Sequence, residues 1–159
     1  MSRIPRGFTL VELMVVLGIV AILALMMIPT YHQRSVREQI VEALPLAEIA
    51  KTPVALSWTL ARTFPADNAA AGLPATEKIV SNFVSALSVE GGAIHITFGN
   101  RAYSQIRGKV LTLRPAVVED APVVPVAWVC GVAAPPGKMT VKGANKTDVA
   151  KDYLPARCR

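Results

Sequence analysis

The chain has 159 residues, enough for one domain with a real core and too few for two of comfortable size. It is 52% hydrophobic and 18% charged, with a mean hydropathy of +0.42, more apolar than an ordinary soluble domain. The net charge is +6, but the positive residues are scattered, so a solvated surface accounts for them without nucleic acid or an anionic membrane as partner.

The apolar excess sits in one place. Between Phe8 and Tyr31 the only charged residue is Glu12. As a helix rising about 1.5 Å per residue, this run is about 36 Å long, enough to cross a bilayer. Arg3 and Arg6 precede it and should hold the N-terminus in the cytoplasm. No small-x-small cleavage site follows it, so the helix is expected to be kept and not removed as a secretory signal. A carboxylate inside such a span costs roughly 2.5–3.5 kcal/mol on insertion scales, which calls for a partner or a function at Glu12. Its place near the helix start also allows it to snorkel to the headgroups.

The segment Arg6-Gly7-Phe8-Thr9-Leu10-Val11-Glu12 resembles the processing signal of the type IV pilin family. The resemblance implies a leader of residues 1–7, a prepilin peptidase cut between Gly7 and Phe8, and N-methylation of Phe8. Glycine has no Cβ, so the backbone there can enter an enzyme cleft closely, and a cut before the apolar run leaves the anchor attached. The resemblance also implies that Glu12 of one copy neutralises the Phe8 amine of another in the fibre, since two opposite charges are buried at far less cost than one. Pro29, followed after one residue by Tyr31, matches the family and is expected to bend or locally open the helix.

Beyond the membrane or fibre-core helix of 8–31, residues 32–62 turn amphipathic. Val36, Ile40, Ala43, Leu44, Ala47 and Ala50 recur at helical spacing, and Pro45 and Pro53 should distort the helix. A turn-rich link covers 63–79. Four strand-like runs follow within 80–129: Val80–Val89, Ala93–Phe98, Lys109–Val118 and Val123–Val129, with Gly91-Gly92 suited to a tight hairpin. Pro115, Pro122 and Pro125 predict ragged or edge-like ends for the last two. His95 alternates with Ile94 and Ile96 and is expected on the solvent side of its strand. The fold class is therefore α+β, a long N-terminal hydrophobic then amphipathic helix packed on a four-stranded antiparallel sheet.

In an exported domain the isolated pair Cys130 and Cys158 reads as one disulfide bounding a loop of 130–158. Its flanks, Trp128-Val129-Cys130-Gly131 and Leu154-Pro155-Ala156-Arg157-Cys158, resemble the two ends of the type IVa pilin loop. Within it Lys138, Lys142, Lys146 and Lys151 form a candidate surface for DNA or anionic host polymers. Asn145-Lys146-Thr147 matches the N-glycosylation triplet, a pattern frequent by chance. Trp128 reads as a sheet-face or core anchor. His32 and His95 belong to no metal or catalytic pattern, so neither enzyme activity nor a metal or cofactor is expected.

The family implies a structural subunit, a precursor held in the bacterial inner membrane and polymerised with other subunits into an extracellular fibre. Prepilin peptidase and the assembly machinery act in trans, and adhesion, twitching motility and DNA uptake are the associated roles. Two alternatives stand beside it. A minor DNA-binding competence pilin requires a compact basic patch, and a type II secretion pseudopilin shares the cleavage signal but fits the cysteine-bounded ends poorly.

Overall fold

The computed structural model describes residues 7–159, apart from the side chains at 28–30. Arg3, Arg6 and the kink expected at Pro29 lie outside the described residues. The chain divides into two units, the first ending at Ser35 and the second comprising Val36–Arg159. Helix α1 (Leu10–Ala43) contributes to both.

In the second unit α1 meets Pro45, which cannot donate a backbone hydrogen bond. The chain passes through one 3-10 turn, Leu44–Ala47, before α2 (Glu48–Ala61). Pro53 was expected to distort the helix as well, yet α2 runs through it. One missing hydrogen bond there is offset by the face formed by Ala50, Val54 and Trp58, which is buried. Arg62 ends α2 in the left-handed conformation (φ 56°), its N–H donating to the Trp58 carbonyl.

The sheet contains β1 (Val84–Glu90), β2 (Ala93–Phe98), β3 (Val110–Val117) and β4 (Ala127–Cys130), all antiparallel and ordered β1-β2-β3-β4. The expected first strand starts four residues too early, because Ser81 N–H turns back onto the Val84 carbonyl. The expected fourth starts too early as well, since pairing begins only after Pro125. Gly91 and Gly92, at φ 55° and 83°, make the two-residue hairpin. A Cβ on Gly92 would lie 2.6 Å from the Phe64 ring.

A short fifth strand, β5 (Thr140–Val141), comes from the disulfide loop and was not expected. Ala116 pairs with both Ala127 of β4 and Val141, so β5 lies on the β3 edge that β2 occupies lower down. Pro115 has no N–H to give, yet it stays within β3, and its carbonyl accepts the Lys142 N–H at 2.8 Å just beyond β5.

The inner sheet face presents Leu87, Ile94, Ile96, Phe98, Leu111 and Leu113 to Val36, Ile40, Ala43, Ala47, Ala50 and Val54 of the helices, and all are buried. The outer face is also covered. His95 does point away from the helices, but it is only 3% exposed and its β3 neighbour Thr112 is 0% exposed. The expectation of a solvent-facing His95 is corrected by the disulfide loop, which crosses this face.

The outer edge of β1 is satisfied by the link region through Asn68. Its Nδ2 donates to the Leu87 carbonyl (3.0 Å) and to the Pro74 carbonyl (3.0 Å), and its Oδ1 accepts the Val89 N–H (2.6 Å). One buried side chain thus stands in for a neighbouring strand. Asn68→Ala strands three backbone groups and should cost about 3 kcal/mol. Urea unfolding of the detergent-solubilised chain checks this, and a loss below about 1 kcal/mol would mean that water replaces the amide.

Candidate functional site

The N-terminal site is a helix start in an apolar setting. Thr9 caps α1 in a reciprocal box with Glu12. The Thr9 N–H and hydroxyl both donate to Glu12 Oε2 at 2.9 Å, and the Glu12 N–H donates to Thr9 Oγ1 at 3.2 Å. The pattern Thr-x-x-Glu just before an apolar run carries this box in the sequence, but Thr9 was not singled out there. A Cβ on Gly7 would meet nothing within 4 Å, and Phe8 is 84% exposed.

From Phe8 to Met27 the described large hydrophobic side chains all remain exposed. A helix apolar on every side cannot stay bare in water. The helical run Leu10–Ala61 is also long and apolar enough to cross a membrane.

The second candidate region is the disulfide loop. Cys130 and Cys158 are bonded, with 28 residues of sequence separation, and both are buried. Gly131 sits against the bridge at φ 59°, where a Cβ would lie 2.6 Å from the Cys158 carbonyl oxygen. That same oxygen accepts the Val132 N–H at 3.1 Å. Arg37, also not singled out from the sequence, fastens the far end of the loop to α1, its Nη2 donating to the Asp152 carbonyl at 2.8 Å.

The family models match both regions. Residues 36–159 match the pilin family of bacterial filament proteins, and residues 3–28 match the prokaryotic N-terminal methylation motif. The chain belongs to the type IV pilin family. It is 33% identical to a type IV major pilin protein PilE of Neisseria gonorrhoeae, over 100% of this chain and 96% of that one. It is 32% identical to a fimbrial protein of Neisseria meningitidis serogroup A, over 100% and 96%, and 30% identical to fimbrial protein EcpC of Eikenella corrodens, over 100% and 94%. This pilin is thus a structural subunit that polymerises with its own kind. The methylation motif and the apolar helix fit a membrane-anchored precursor and a pilus fibre.

Within the pilin, Gly7, Phe8 and Glu12 all fall in the methylation motif. Two of the four loop lysines are matched by carboxylates. Lys142 is ion-paired with Glu119 and Lys146 with Glu90, both carboxylates from outside the loop. Asp148, inside it, pairs with Lys109 of the sheet domain at 3.3 Å. Lys138 and Lys151 are exposed. Trp128 packs partly buried against the core, with the Lys51 ammonium 5.9 Å from its ring centroid. Asn145 of the glycosylation triplet is used structurally, its Nδ2 donating to the Gly131 carbonyl and its Oδ1 accepting the Thr147 N–H.

Proposed function

We propose that this pilin is made with a leader of residues 1–7, cut by a prepilin peptidase between Gly7 and Phe8, methylated on Phe8 and assembled into an extracellular fibre. The match of residues 3–28 to the methylation motif carries this reading. The exposed apolar helix supports it, since burial in a bundle of like helices removes that surface from water. In the assembled state 8–31 forms the fibre core, 32–62 continues the helix into the head, 63–79 links it to the 80–129 sheet, and 130–158 forms part of the fibre surface. Glu12 of one copy meets the Phe8 amine of the next. Likeness to proteins named as major pilins favours a main fibre subunit acting in adhesion, twitching motility or DNA uptake. Contact with DNA or an anionic host polymer would rest on Lys138 and Lys151 more than on Lys142 and Lys146, whose charges are already engaged.

Intact-mass and N-terminal peptide spectrometry on sheared fibres tests the processing. The expected terminus is Phe8 carrying one methyl group. A chain beginning at Met1, or beyond Pro29, would overturn the reading.

A further inference from the structure

We propose that the disulfide-bounded loop is a pH-sensitive cover, clasped over the outer face of the sheet while His95 is neutral and loosened when His95 takes up a proton.

The clasp is built from three elements. From β2 comes His95, whose Nδ1 lies 2.9 Å from Thr112 Oγ1 on β3. That oxygen also accepts the Lys146 N–H of the loop at 3.0 Å. The hydroxyl has one proton, and donating it to Nδ1 satisfies both groups. The neutral ring then carries its own proton on Nε2. Nε2 is buried without a hydrogen-bond partner, 3.8 Å from Glu90 Oε2. Glu90 in turn holds the Lys146 ammonium. The loop continues along the β3 edge left open where β4 stops. Thr147 Oγ1 accepts the Thr112 N–H, Asp148 Oδ1 accepts the Val110 N–H, and the Asp148 N–H donates to the Val110 carbonyl. Gly143 lies against Ala93 so closely that a Cβ would sit 2.7 Å from it.

The surroundings of His95 decide what a second ring proton does. Facing it or sharing its face are Ser88 and Glu90 of β1, Thr112 and Arg114 of β3, and Lys146, Thr147 and Asp148 of the loop. Asp148 is engaged with β3 and Lys109, so Glu90 is the anion within reach. A proton on Nδ1 and the Thr112 hydroxyl proton cannot both occupy the 2.9 Å gap. The hydroxyl proton must turn to its remaining position, and the oxygen then accepts from both the imidazolium and the Lys146 N–H, so that two donors compete for one hydroxyl. The imidazolium also draws Glu90 toward Nε2 and away from Lys146, leaving two cations around one carboxylate. Both fastenings of Lys146 weaken together, and the Cys130–Cys158 bridge keeps the released segment attached.

Burial first, and the Lys146 ammonium second, hold the His95 imidazole below its ordinary value, against an opposing pull from Glu90. The Lys146 bond keeps the Glu90 carboxyl below its own ordinary value, so Glu90 stays ionised while His95 titrates. A base with a depressed folded-state pKa binds fewer protons folded than unfolded. The clasp is therefore at full strength above about pH 6.5, the unperturbed histidine value, and is lost as pH falls through the folded value.

Amide hydrogen exchange on the full-length protein in detergent, corrected for the intrinsic rate at each pH, reads the clasp directly. Between pH 7.5 and 5.0 the protection of the Lys146 and Thr112 amides should fall about tenfold, the ratio that one pH unit of linkage supplies. Amides of the β1–β2 hairpin should hold steady. The fall should vanish in His95→Gln and persist in His32→Gln. A wild-type loop indifferent to pH, or a fall that survives His95→Gln, overturns the proposal. Should His95→Gln fold poorly, the His95 ring titration in the wild type replaces it. Coincidence of its midpoint with loop opening supports the clasp, and separation by more than about one pH unit refutes it.

Discussion

Replacing Glu12 by glutamine should abolish or sharply reduce fibres while leaving the start of α1 intact. The cap and the charge of Glu12 are separable. As the third helical residue it accepts hydrogen bonds from Thr9, and glutamine at that position preserves the reciprocal box. Alanine loses it as well, at a cost of about 1 kcal/mol in local helix stability. In the proposed fibre, only the carboxylate would neutralise the terminal amine of a neighbouring subunit. Membrane insertion should be unaffected or easier in both variants, because a costly charge has gone from an apolar span. Sheared-fibre yield measured beside the membrane-held pool distinguishes the roles. Fibres lost in both Glu12→Gln and Glu12→Ala, with a full membrane pool, identify the charge as decisive. Fibres retained in Glu12→Gln and lost in Glu12→Ala would show that the cap, not the pair, matters.

Removing the disulfide is the second large effect. Cys130 and Cys158 close a loop across a sequence separation of 28, which on the chain-entropy model is worth about 3–4 kcal/mol. The bridge also belongs to the core cluster, so Cys130→Ser with Cys158→Ser places two hydroxyls where no partner is arranged for them. The head should melt about 10 °C lower, at the few degrees per kcal/mol expected for a domain of this size. Thermal melts of the oxidised protein and the double variant measure the difference. A shift under about 3 °C would mean that the Arg37 bond to Asp152 and the β3–β5 pairing hold the loop without it.

Glu12 stands out in the sequence because a charge interrupts an apolar run, and the methylation motif surrounds it. The energetic weight of the disulfide depends on what the loop does. As a string of residues, the loop reads as a basic, poorly apolar segment, and its lysines add to a net positive patch. In the folded chain Lys142 and Lys146 reach carboxylates at sequence separations of 23 and 56. Composition cannot show such cancellation, because it depends on which elements lie side by side.

What the sequence determines by itself follows from short-range rules. The apolar run, the methylation motif, the amphipathic helix, the Gly91-Gly92 hairpin and the exact bounds of β2 rest on hydropathy, side-chain periodicity and backbone freedom, all of which act within a few residues. The break at Pro45 is of the same kind, a local loss of a donor. The tertiary structure decides the rest. Alternation places His95 opposite Ile94 and Ile96, but a period of two says only that a side chain is on the other face, not whether that face meets water. The disulfide loop covers it, and the same chain crossing creates β5. Asn68 resembles any turn residue until β1 is found to be an edge strand with groups to satisfy. Each of these outcomes depends on a backbone group or a sheet face finding a partner far along the chain, and only the closed fold brings that partner into reach.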